Sequence, residues 1–520
     1  MRWTGSDATV GRFNIADEIT DIASKQMVRY HVCMITVDEK HRTVAYNGSE
    51  WEFTAEKNCC VVTKDDIFSF VDASEIQHGD KETVYAGFGN LDLVLKESIS
   101  VKDNEMTLRL DVLREDSRVK RIVWPAPVCF NNNDEHAYTL LNLRQGLLIP
   151  NTWPVTLSPL PFNGQFEAAG NYMPWYAQIR QGHGLLVICN TPWDSGIHVI
   201  HEANKPGTSV QPYQLPSLGL FRYARSMTYC FIENADETAV TQYYRKRIEK
   251  EGRLYTLREK MKENPLISRL IGTSWVHFGI CKNVVPESSF YDAGDPEENH
   301  ACVPFSFRAE EMAKYHELGA GRCYIHLDGW ADPGYDNCHP DPYPACIEAG
   351  GWNGMRNMIL SFHDHGDFFG IHDQYRDFYF NAPSFDRNLA VHLEDGSIPE
   401  HARWAGGHQT YLCASQALFF VKRNFTRLKE HGITMDGAYL DVFTCNEPDE
   451  CFSAEHPMTR KQCLEYRGAC LRWLLEHGIL SSSEEVNEWA MKDLVFCHYA
   501  PYDFMLNKPD APREGIPVPL

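Results

Sequence analysis

The first half of the chain alternates between apolar and polar residues over many short segments. In NEMTLRLDVLRED, Met106, Leu108, Leu110 and Val112 are each separated by one polar residue. This period of two predicts a half-buried antiparallel strand. Similar runs are YHVCMITVDE, HRTVAYNG, HGLLVICNT and SMTYCFIEN, which are separated by clusters of Gly, Asn, Asp and Pro. Many short strands of this kind predict a β-sandwich domain over residues 1–236.

A charged helical pattern follows over residues 237–265. The segment ETAVTQYYRKRIEKEGRLYTLREKMKENP has no proline before Pro265. Its apolar and aromatic residues fall on one helical stripe, which contains Val240, Tyr243, Tyr244 and Ile248. We interpret this segment as a helical connector between two domains.

From residue 266 the pattern changes to strands that alternate with helices. SFRAEEMAKYHELGAG predicts a helix with Ser306 as its N-cap and glycine as its stop, and RCYIHLDGW and FFGIHDQYRDF predict strands. Repeated βα units with polar residues at the ends of strands indicate a (β/α)8 barrel over residues 266–520. Five strands are clear, and DLVFCHYAP supplies a weaker sixth. The chain stops at EGIPVPL, which resembles the start of a strand, so we expect a barrel that is incomplete at its C-terminus, with the missing strands in an absent C-terminal region.

Four predicted strand ends carry an acidic residue: Asp328, Asp373, Asp441 and Glu484. A lone aspartate after a strand usually caps a helix or forms a turn. However, the carboxyl ends of barrel strands meet at one rim, so four such acids are expected to converge. Paired carboxylates suit cleavage of a glycosidic bond. Aromatic residues that suit stacking on sugar rings crowd the same loops: Trp275, Trp330, Tyr335, Trp352, Tyr375, Trp404 and Trp489.

These segments resemble a known family. GAYLDVF, followed by a helix and GILSSSE and preceded by YIHLDGW, resembles the barrel of the endo-α-N-acetylgalactosaminidase-like glycosidases, which are glycoside hydrolase families 101 and 129 and their uncharacterised relatives. NYMPWYAQIRQGHGLLVICNTPWDSG resembles the domain that precedes the barrel in those enzymes. The resemblance implies an N-terminal, galactose mutarotase-like β-supersandwich followed by a TIM-type barrel.

The resemblance also implies a retaining mechanism. Asp441 corresponds to the nucleophile and Glu484 to the acid/base. SSSEEVNE also offers Glu485, the main alternative acid/base, and Glu488, but the position at the strand end favours Glu484. Five other residues are expected to contact the sugar: Asp328, Trp330, His372, Asp373 and Trp275. The expected substrate is an α-linked sugar, specifically an α-N-acetylgalactosaminide. The alternatives are an α-galactosidase or α-glucosidase, and a non-catalytic carbohydrate-binding protein with the same fold.

Composition narrows the partners. The 520 residues carry a net charge of −22 without a Lys/Arg-rich run. This argues against nucleic acid or anionic membranes as partners, because both are bound through basic patches. No apolar segment approaches the ~20 residues of a membrane span. The 17 cysteines lack paired spacing, and the N-terminus lacks the apolar core of a secretory signal, so we expect a cytoplasmic protein with free thiols.

A metal or other cofactor is not predicted. HDHGDFFGIHDQYRD contains His363 and His365, which lie two residues apart and would not share a helix face. Neither Cys-x-x-Cys nor His-Glu-x-x-His occurs in the chain. We therefore expect these histidines to be structural or to bind sugar.

Overall fold

The computed structural model describes residues 35–38, 43–47, 49–52, 59–79, 81–128, 134, 136–157, 163–168, 170–498 and 515–520. The chain forms two compact units. The first contains Met1–Phe166, Met173–Lys246 and Tyr502–Leu520, and the second contains Glu167–Tyr172 and Arg247–Pro501. The N-terminal residues, which were expected to lack a secretory signal, lie outside the described part of the chain.

The first unit is built from strands. Those described are β1 (Ile35–Asp38), β2 (Thr43–Tyr46), β3 (Ser49–Glu52), β4 (Cys60–Val62), β5 (Ile67–Ser69), β6 (Glu75–His78), β7 (Glu82–Ala86), β8 (Val94–Lys102), β9 (Glu105–Arg114), β10 (Arg121–Val123), β11 (Tyr138–Leu143), β12 (Leu147–Pro150), β13 (Asn163–Gln165), β14 (Asn171–Arg180), β15 (His183–Cys189), β16 (Ser195–His201), β17 (Thr208–Gln214) and β18 (Arg225–Glu233).

These strands form two larger sheets and one small sheet. The larger sheets have the orders β13-β16-β17-β10-β4-β5 and β29-β12-β11-β14-β15-β18-β9-β8-β7-β6, where β29 is Ile516–Pro517. Neighbours such as β8 and β9 pair antiparallel, as the period-two pattern predicted. Val61 and Val199 of one sheet share a buried core with Leu108 and Leu185 of the other. The strand-like EGIPVPL does contain a strand, and it pairs with β12 in the first unit.

The predicted helical segment contains two helices, α1 (Glu237–Lys250) and α2 (Leu257–Glu263). On the predicted stripe of α1, Val240 and Tyr244 are buried. A capping box between Thr256 and Glu259 fixes the start of α2. The helices are therefore confirmed, whereas their role as a connector stays a prediction.

The second unit alternates strands and helices. Its described elements are β19 (Ser274–Gly279), β20 (Cys281–Asn283), β21 (His300–Cys302), α3 (Phe305–Glu317), β22 (Cys323–Asp328), α4 (Gly351–Asp364), β23 (Phe368–Gln374), β24 (Asp377–Tyr379), β25 (Gln409–Tyr411), α5 (Ala414–Glu430), β26 (Gly437–Asp441), α6 (Arg460–Glu476), β27 (Leu480–Ser483) and β28 (Phe496–Cys497). Helix α3 begins directly after Pro304, so the prediction of Ser306 as its N-cap was wrong; this residue lies in the first turn.

A curled parallel sheet forms the centre of this unit. Its order is β19-β22-β23-β26-β27-β28, and successive neighbours run parallel. The sixth strand lies within DLVFCHYAP, as expected. Alternate side chains point to opposite faces of a strand. On the helix-facing side, Leu327, Ile371 and Leu440 pack with residues of α4 and α5, such as Ile359 and Val421. The residues next to them in sequence therefore face the inside of the curl.

Among the described residues, no helix is both long and apolar enough to cross a membrane.

Candidate active site

A cavity of about 550 Å³ opens at the carboxyl ends of the parallel strands. Four of the residues expected from the sequence line it: Asp328 at the end of β22, His372 on β23, Asp441 at the end of β26, and Glu484 directly after β27. Four neighbouring strands therefore bring three carboxylates and one imidazole to one pocket.

Asp441 is held in a buried network of polar side chains. The hydroxyl of Tyr439 donates a hydrogen bond of 2.6 Å to Asp441 Oδ1, because residues two apart on a strand share a face. His372 Nε2 lies 3.3 Å from Asp441 Oδ2. Burial raises the pKa of Asp441, but His372 and then Tyr439 oppose this and hold the pKa below its usual value. Asp441 is therefore an ionised carboxylate near neutral pH.

His372 is the positive member of this network. Burial lowers its pKa, but the carboxylates of Asp441, Asp328 and Asp336 outweigh burial and raise the pKa to about 10. Asp336 Oδ1 lies 3.8 Å from His372 Nε2. Burial raises the pKa of Asp336 to about 8, with His372 acting in the opposite direction. Near neutral pH, a protonated imidazole thus lies between an ionised and a protonated carboxyl group.

Glu484 reaches the cavity from the strand next to Asp441. In the register of β26 and β27, Leu440 is opposite Ser483, so the next residues are Asp441, which ends β26, and Glu484, which directly follows β27. The thiol of Cys445 donates to Glu484 Oε2 over 2.6 Å. Burial raises the pKa of Cys445, and the charge of Glu484 adds to this effect. The thiol therefore stays protonated and orients the carboxylate.

Glu485, the alternative acid/base, does not line this cavity. Its Oε2 accepts hydrogen bonds from the hydroxyl of Tyr172 at 2.8 Å and from the backbone N–H of Gly170 at 3.3 Å. Its own N–H donates to Thr444 Oγ1. Of the two glutamates, therefore, Glu484 reaches the cavity, and the Glu485 side chain is held by Tyr172 and Gly170 outside it.

Asp328 is held by two histidines. His326 Nε2 lies 2.7 Å from Asp328 Oδ1, and His277 Nε2 contacts Asp328 Oδ2. Burial raises the pKa of Asp328, but the hydrogen bonds to His277 and His326 lower the pKa by more than burial raises it. The carboxylate of Asp328 is therefore ionised. Its orientation is therefore fixed within the cavity wall.

Three other residues expected to contact the sugar do not line the cavity. Asp373 is fully buried on the helix-facing side of β23, where it accepts a hydrogen bond from Tyr375. Trp330 is buried, and its Nε1 donates to the backbone oxygen of His372 at 2.8 Å. Trp275 is half-exposed and packs on aromatic rings of the sheet, Tyr324 and Phe496. The alternation of strand side chains corrects the expectation for Asp373, since His372 and Asp373 cannot both face the cavity.

Several cavity residues were not assigned from the sequence. Tyr439, Gln374 and His326 lie two residues from a predicted site residue on the same strand, so the period of two could have identified them. Asp377 begins the short strand β24. Others come from loops without a periodic signal: Tyr335, Asp336, His401, Trp404 and Cys445. Of these, only Tyr335 and Trp404 belonged to the aromatic set noted in the sequence.

The backbone after Asp441 has an unusual conformation. Val442 lines the cavity and has a φ of 55°. A β-branched residue rarely adopts the left-handed region, because its Cβ approaches the backbone. The strained turn places Asp441 at the end of β26 while the chain bends into the loop that carries Cys445.

Within the described part of the chain, three groups of side chains each bring three potential metal-ligand atoms within 4.8 Å of one another: Cys413, Cys451 and His456; His277, His326 and Asp328; and Asp336, His339 and His372. In the second group, hydrogen bonds already link Asp328 to both imidazoles. In the third group, Asp336 Oδ1 and His372 Nε2 have no hydrogen-bond partner within the described part of the chain. Because His372 is protonated near neutral pH, its Nε2 can donate to a polar group of a substrate but has no lone pair for a cation.

Comparison with known proteins identifies relatives of this arrangement. Residues 301–463 match the family model described as endo-α-N-acetylgalactosaminidase. The chain is similar to the α-N-acetylgalactosaminidase NagBb from Bifidobacterium bifidum. The ligand-free structure of NagBb is 47% identical in sequence with a TM-score of 0.88, and the match covers 94% of this chain and 82% of NagBb. Its complex with GalNAc is 47% identical with a TM-score of 0.89, and covers 94% of this chain and 81% of that chain.

Its complex with Gal-NHAc-DNJ is 47% identical with a TM-score of 0.90, and covers 94% of this chain and 80% of that chain. A search of curated proteins finds no match. The identity and the coverage extend over both units, and the family-model match includes Asp328, His372 and Asp441. The chain belongs to the endo-α-N-acetylgalactosaminidase-like glycosidases and is a glycoside hydrolase.

Proposed function

We propose that this glycoside hydrolase cleaves α-linked N-acetylgalactosaminides with retention of configuration. In this mechanism Asp441 attacks the anomeric carbon and Glu484 protonates the departing oxygen. Glu484 then removes a proton from the water that hydrolyses the glycosyl-enzyme intermediate. The observation that carries the proposal is that Asp441 and Glu484 line one cavity from adjacent strands.

The spacing of the strands supports retention. Neighbouring strands lie about 4.7–4.9 Å apart, and the two carboxylates follow paired residues, Leu440 and Ser483. Side chains at such positions fall near the separation of about 5–5.5 Å that direct nucleophilic attack requires. An inverting enzyme needs about 6.5–9.5 Å, to leave room for water between the carboxyl groups.

The charges support the assignment of roles. His372 and Tyr439 stabilise the ionised form of Asp441, which is the form that attacks carbon. The acid/base must instead carry a proton when the substrate arrives. Glu484 accepts a hydrogen bond from the neutral thiol of Cys445, whereas Asp441 lies beside the charged imidazole of His372. The different surroundings therefore fit one nucleophile and one proton donor.

The walls of the cavity fit a sugar. The ring of Trp404 stacks on Phe290 with an interplanar angle of 16°, and the Trp404 side chain remains partly exposed at the cavity. Such a flat apolar surface suits the C–H face of a pyranose. Asp328 and the protonated Asp336 offer an acceptor and a donor for sugar hydroxyls. The choice of N-acetylgalactosamine follows the names of the relatives, which are α-N-acetylgalactosaminidases and include a GalNAc complex.

The proposal is tested with 4-nitrophenyl α-glycosides of N-acetylgalactosamine, galactose and glucose. We expect turnover of the first, with the α-anomer as the initial product in an NMR time course. Asp441→Asn should reduce kcat by more than the ~10²–10⁴-fold typical of acid/base catalysis, while Asp373→Asn, its matched control outside the cavity, should remain active.

Three results would contradict this proposal. Preferred turnover of the galactoside or glucoside would show that N-acetylgalactosamine is not the preferred sugar. An initial β-anomer would show that hydrolysis proceeds with inversion rather than retention. Unchanged kcat in a folded Asp441→Asn protein would remove the nucleophile and favour a different site. Binding of GalNAc without turnover of any glycoside would favour the non-catalytic alternative.

We also propose that the first unit is a galactose mutarotase-like supersandwich and that the second belongs to a (β/α)8 barrel. The antiparallel sheets with one core support the former, and the six parallel strands joined through helices support the latter. The predicted domain bounds, 1–236, 237–265 and 266–520, remain part of this proposal.

A further inference from the structure

A cluster of two cysteines and one histidine lies outside the cavity described above. Cys413 is the N-cap residue of α5, and Cys451 and His456 lie in the loop between β26 and α6. One ligand atom from each residue lies within 4.8 Å of the other two. Both cysteines are fully buried, in a small core that also contains Val391 and Met458.

The histidine of this cluster is fixed in the tautomer that a metal ion requires. His456 Nε2 lies 2.6 Å from the backbone oxygen of Asn388. Because a carbonyl oxygen can only accept, Nε2 carries the hydrogen and Nδ1 of the neutral ring carries a lone pair. Nδ1 lies 3.5 Å from Cys451 Sγ. Metal-bound histidines typically donate their other N–H to a carbonyl or carboxylate in this manner.

Cys451 is prepared to carry negative charge. The backbone N–H of His392 donates to Cys451 Sγ at 3.3 Å. A backbone donor to sulfur stabilises the thiolate, which is the form that binds metals. Cys413 Sγ lies 3.2 Å from Ser415 Oγ, which can supply a second donor to the cluster.

The separations match the edges of a tetrahedron around zinc. With Zn–S near 2.3 Å and Zn–N near 2.0–2.1 Å, two ligand atoms on one tetrahedron lie about 3.6 Å apart for N and S and about 3.8 Å apart for two sulfurs. The distance from His456 Nδ1 to Cys451 Sγ is 3.5 Å. Cys413 Sγ lies 3.8 Å from Met458 Sδ. These are ligand separations of a four-coordinate site.

We propose that Cys413, Cys451 and His456 bind a Zn²⁺ ion, with the Met458 thioether or a water molecule in the fourth position. Thiolate, thioether and imidazole are ligands that favour zinc over calcium or magnesium. The ion is structural, because both cysteine ligands are buried, His456 is partly buried, and none of the three lines the cavity. The site goes beyond the proposed hydrolysis and departs from the sequence-based expectation that the chain binds no metal.

The position of the ligands explains what the ion does. The loop that contains Cys451 and His456 begins with Val442 and carries Cys445 at the cavity. Zinc joins this loop to the start of α5, and the Asn388 carbonyl links it to a third segment. The ion therefore stabilises the loop that orients the Glu484 carboxylate.

The test measures zinc directly. The full chain is produced in zinc-supplemented medium, purified without chelators, dialysed, and analysed by plasma mass spectrometry. We expect about one zinc per chain for a structural site of this kind. Cys413→Ser, Cys451→Ser and His456→Gln should each lower zinc affinity by at least the ~10–100-fold typical of weakened metal sites. Cys463→Ser is the matched control, because Cys463 is buried in the same small core but is not a ligand.

The outcomes are distinct. Zinc in the wild type and in Cys463→Ser, together with its loss from folded ligand variants, supports the site. If wild-type protein incubated with ZnCl₂ retains none after dialysis, the proposal is overturned without any variant. Equal zinc in wild type and ligand variants overturns it, since the ion then binds elsewhere, such as the histidines of the cavity. A Cys413–Cys451 disulfide, found by peptide mapping without reductant, also overturns it.

Discussion

His372 Nε2 lies 3.3 Å from Asp441 Oδ2, so the proposed nucleophile and a histidine form one buried charge pair. Trp330 does not line the cavity, but its Nε1 donates a hydrogen bond to the backbone oxygen of His372 and so helps to fix the position of that residue. The pair joins β23 to β26 by side chains in addition to their backbone hydrogen bonds. Its charges make both catalysis and stability dependent on pH.

The first prediction concerns stability and pH. The folded pKa of His372 is raised to about 10, above the value of about 6.5 for an unperturbed histidine. The protonated form therefore stabilises the fold, fully below pH ~6.5, and this contribution is lost as pH rises through ~10. Urea unfolding should show that the gap in stability between wild type and His372→Gln narrows over this range. A gap that stays constant or widens would contradict the charge pair.

The second prediction distinguishes the two glutamates. Glu484→Gln should lower kcat/KM on a serine-linked glycoside by about 10²–10⁴-fold, the usual contribution of acid/base catalysis. Azide should restore turnover on an activated aryl glycoside and yield the α-glycosyl azide, because an anion needs no general base. Glu485→Gln, with its side chain held by Tyr172, should remain within about tenfold of wild type. The reverse ranking would assign the acid/base to Glu485.

The third prediction separates residues inside and outside the cavity. Asp336→Ala removes a cavity carboxyl group, and kcat/KM should fall by about 10–100-fold, as expected for one or two lost hydrogen bonds. Asp373→Asn changes a buried carboxylate that accepts from Tyr375 and should lower the melting temperature instead. Kinetics and thermal unfolding of both variants check this contrast. A larger kinetic loss for Asp373→Asn would place its side chain in the site.

The fourth prediction concerns the loop after β26. Arg376 makes two hydrogen bonds of 2.9 Å to Asp449, and Arg467 adds one of 2.8 Å. Because all three side chains are nearly buried, Asp449→Asn should lower the free energy of unfolding by about 3–5 kcal/mol. Glu465→Gln, which affects an exposed pair with Lys461, should change it by no more than about 1 kcal/mol. Urea titration measures both, and equal effects would refute the buried network.

Periodicity was sufficient to predict most elements that carry the cavity. The short alternating strands, the βα repeats and the acidic strand ends are local patterns, so Asp441 could be located from the apolar run around it. The same rule, applied one step further, would have excluded Asp373 once His372 was assigned to the inner face. Asp373 was assigned to the site because it lies at the end of β23, without considering that consecutive residues such as His372 and Asp373 face opposite sides of the strand.

The remaining site residues depend on long-range structure. Tyr335 and Asp336 lie between β22 and α4, where the chain has no helical or strand period. Nothing in that local sequence shows that the loop returns to the cavity. The surroundings of Trp275 also depend on long-range structure, because its aromatic partners, Tyr324 and Phe496, come from two other strands of the sheet. Such contacts are set by the packing of distant segments.

The left-handed Val442 has a consequence for engineering. Holding a β-branched residue in this region costs about 1–3 kcal/mol, at the position directly after Asp441. A library screened only for heat resistance would therefore enrich glycine or asparagine at this position, and its survivors would include poor catalysts with a mobile carboxylate. We expect a selection for the turnover that remains after heating to retain valine. This result would show that the stability of the fold and the rate of catalysis make opposite demands on the backbone at Val442.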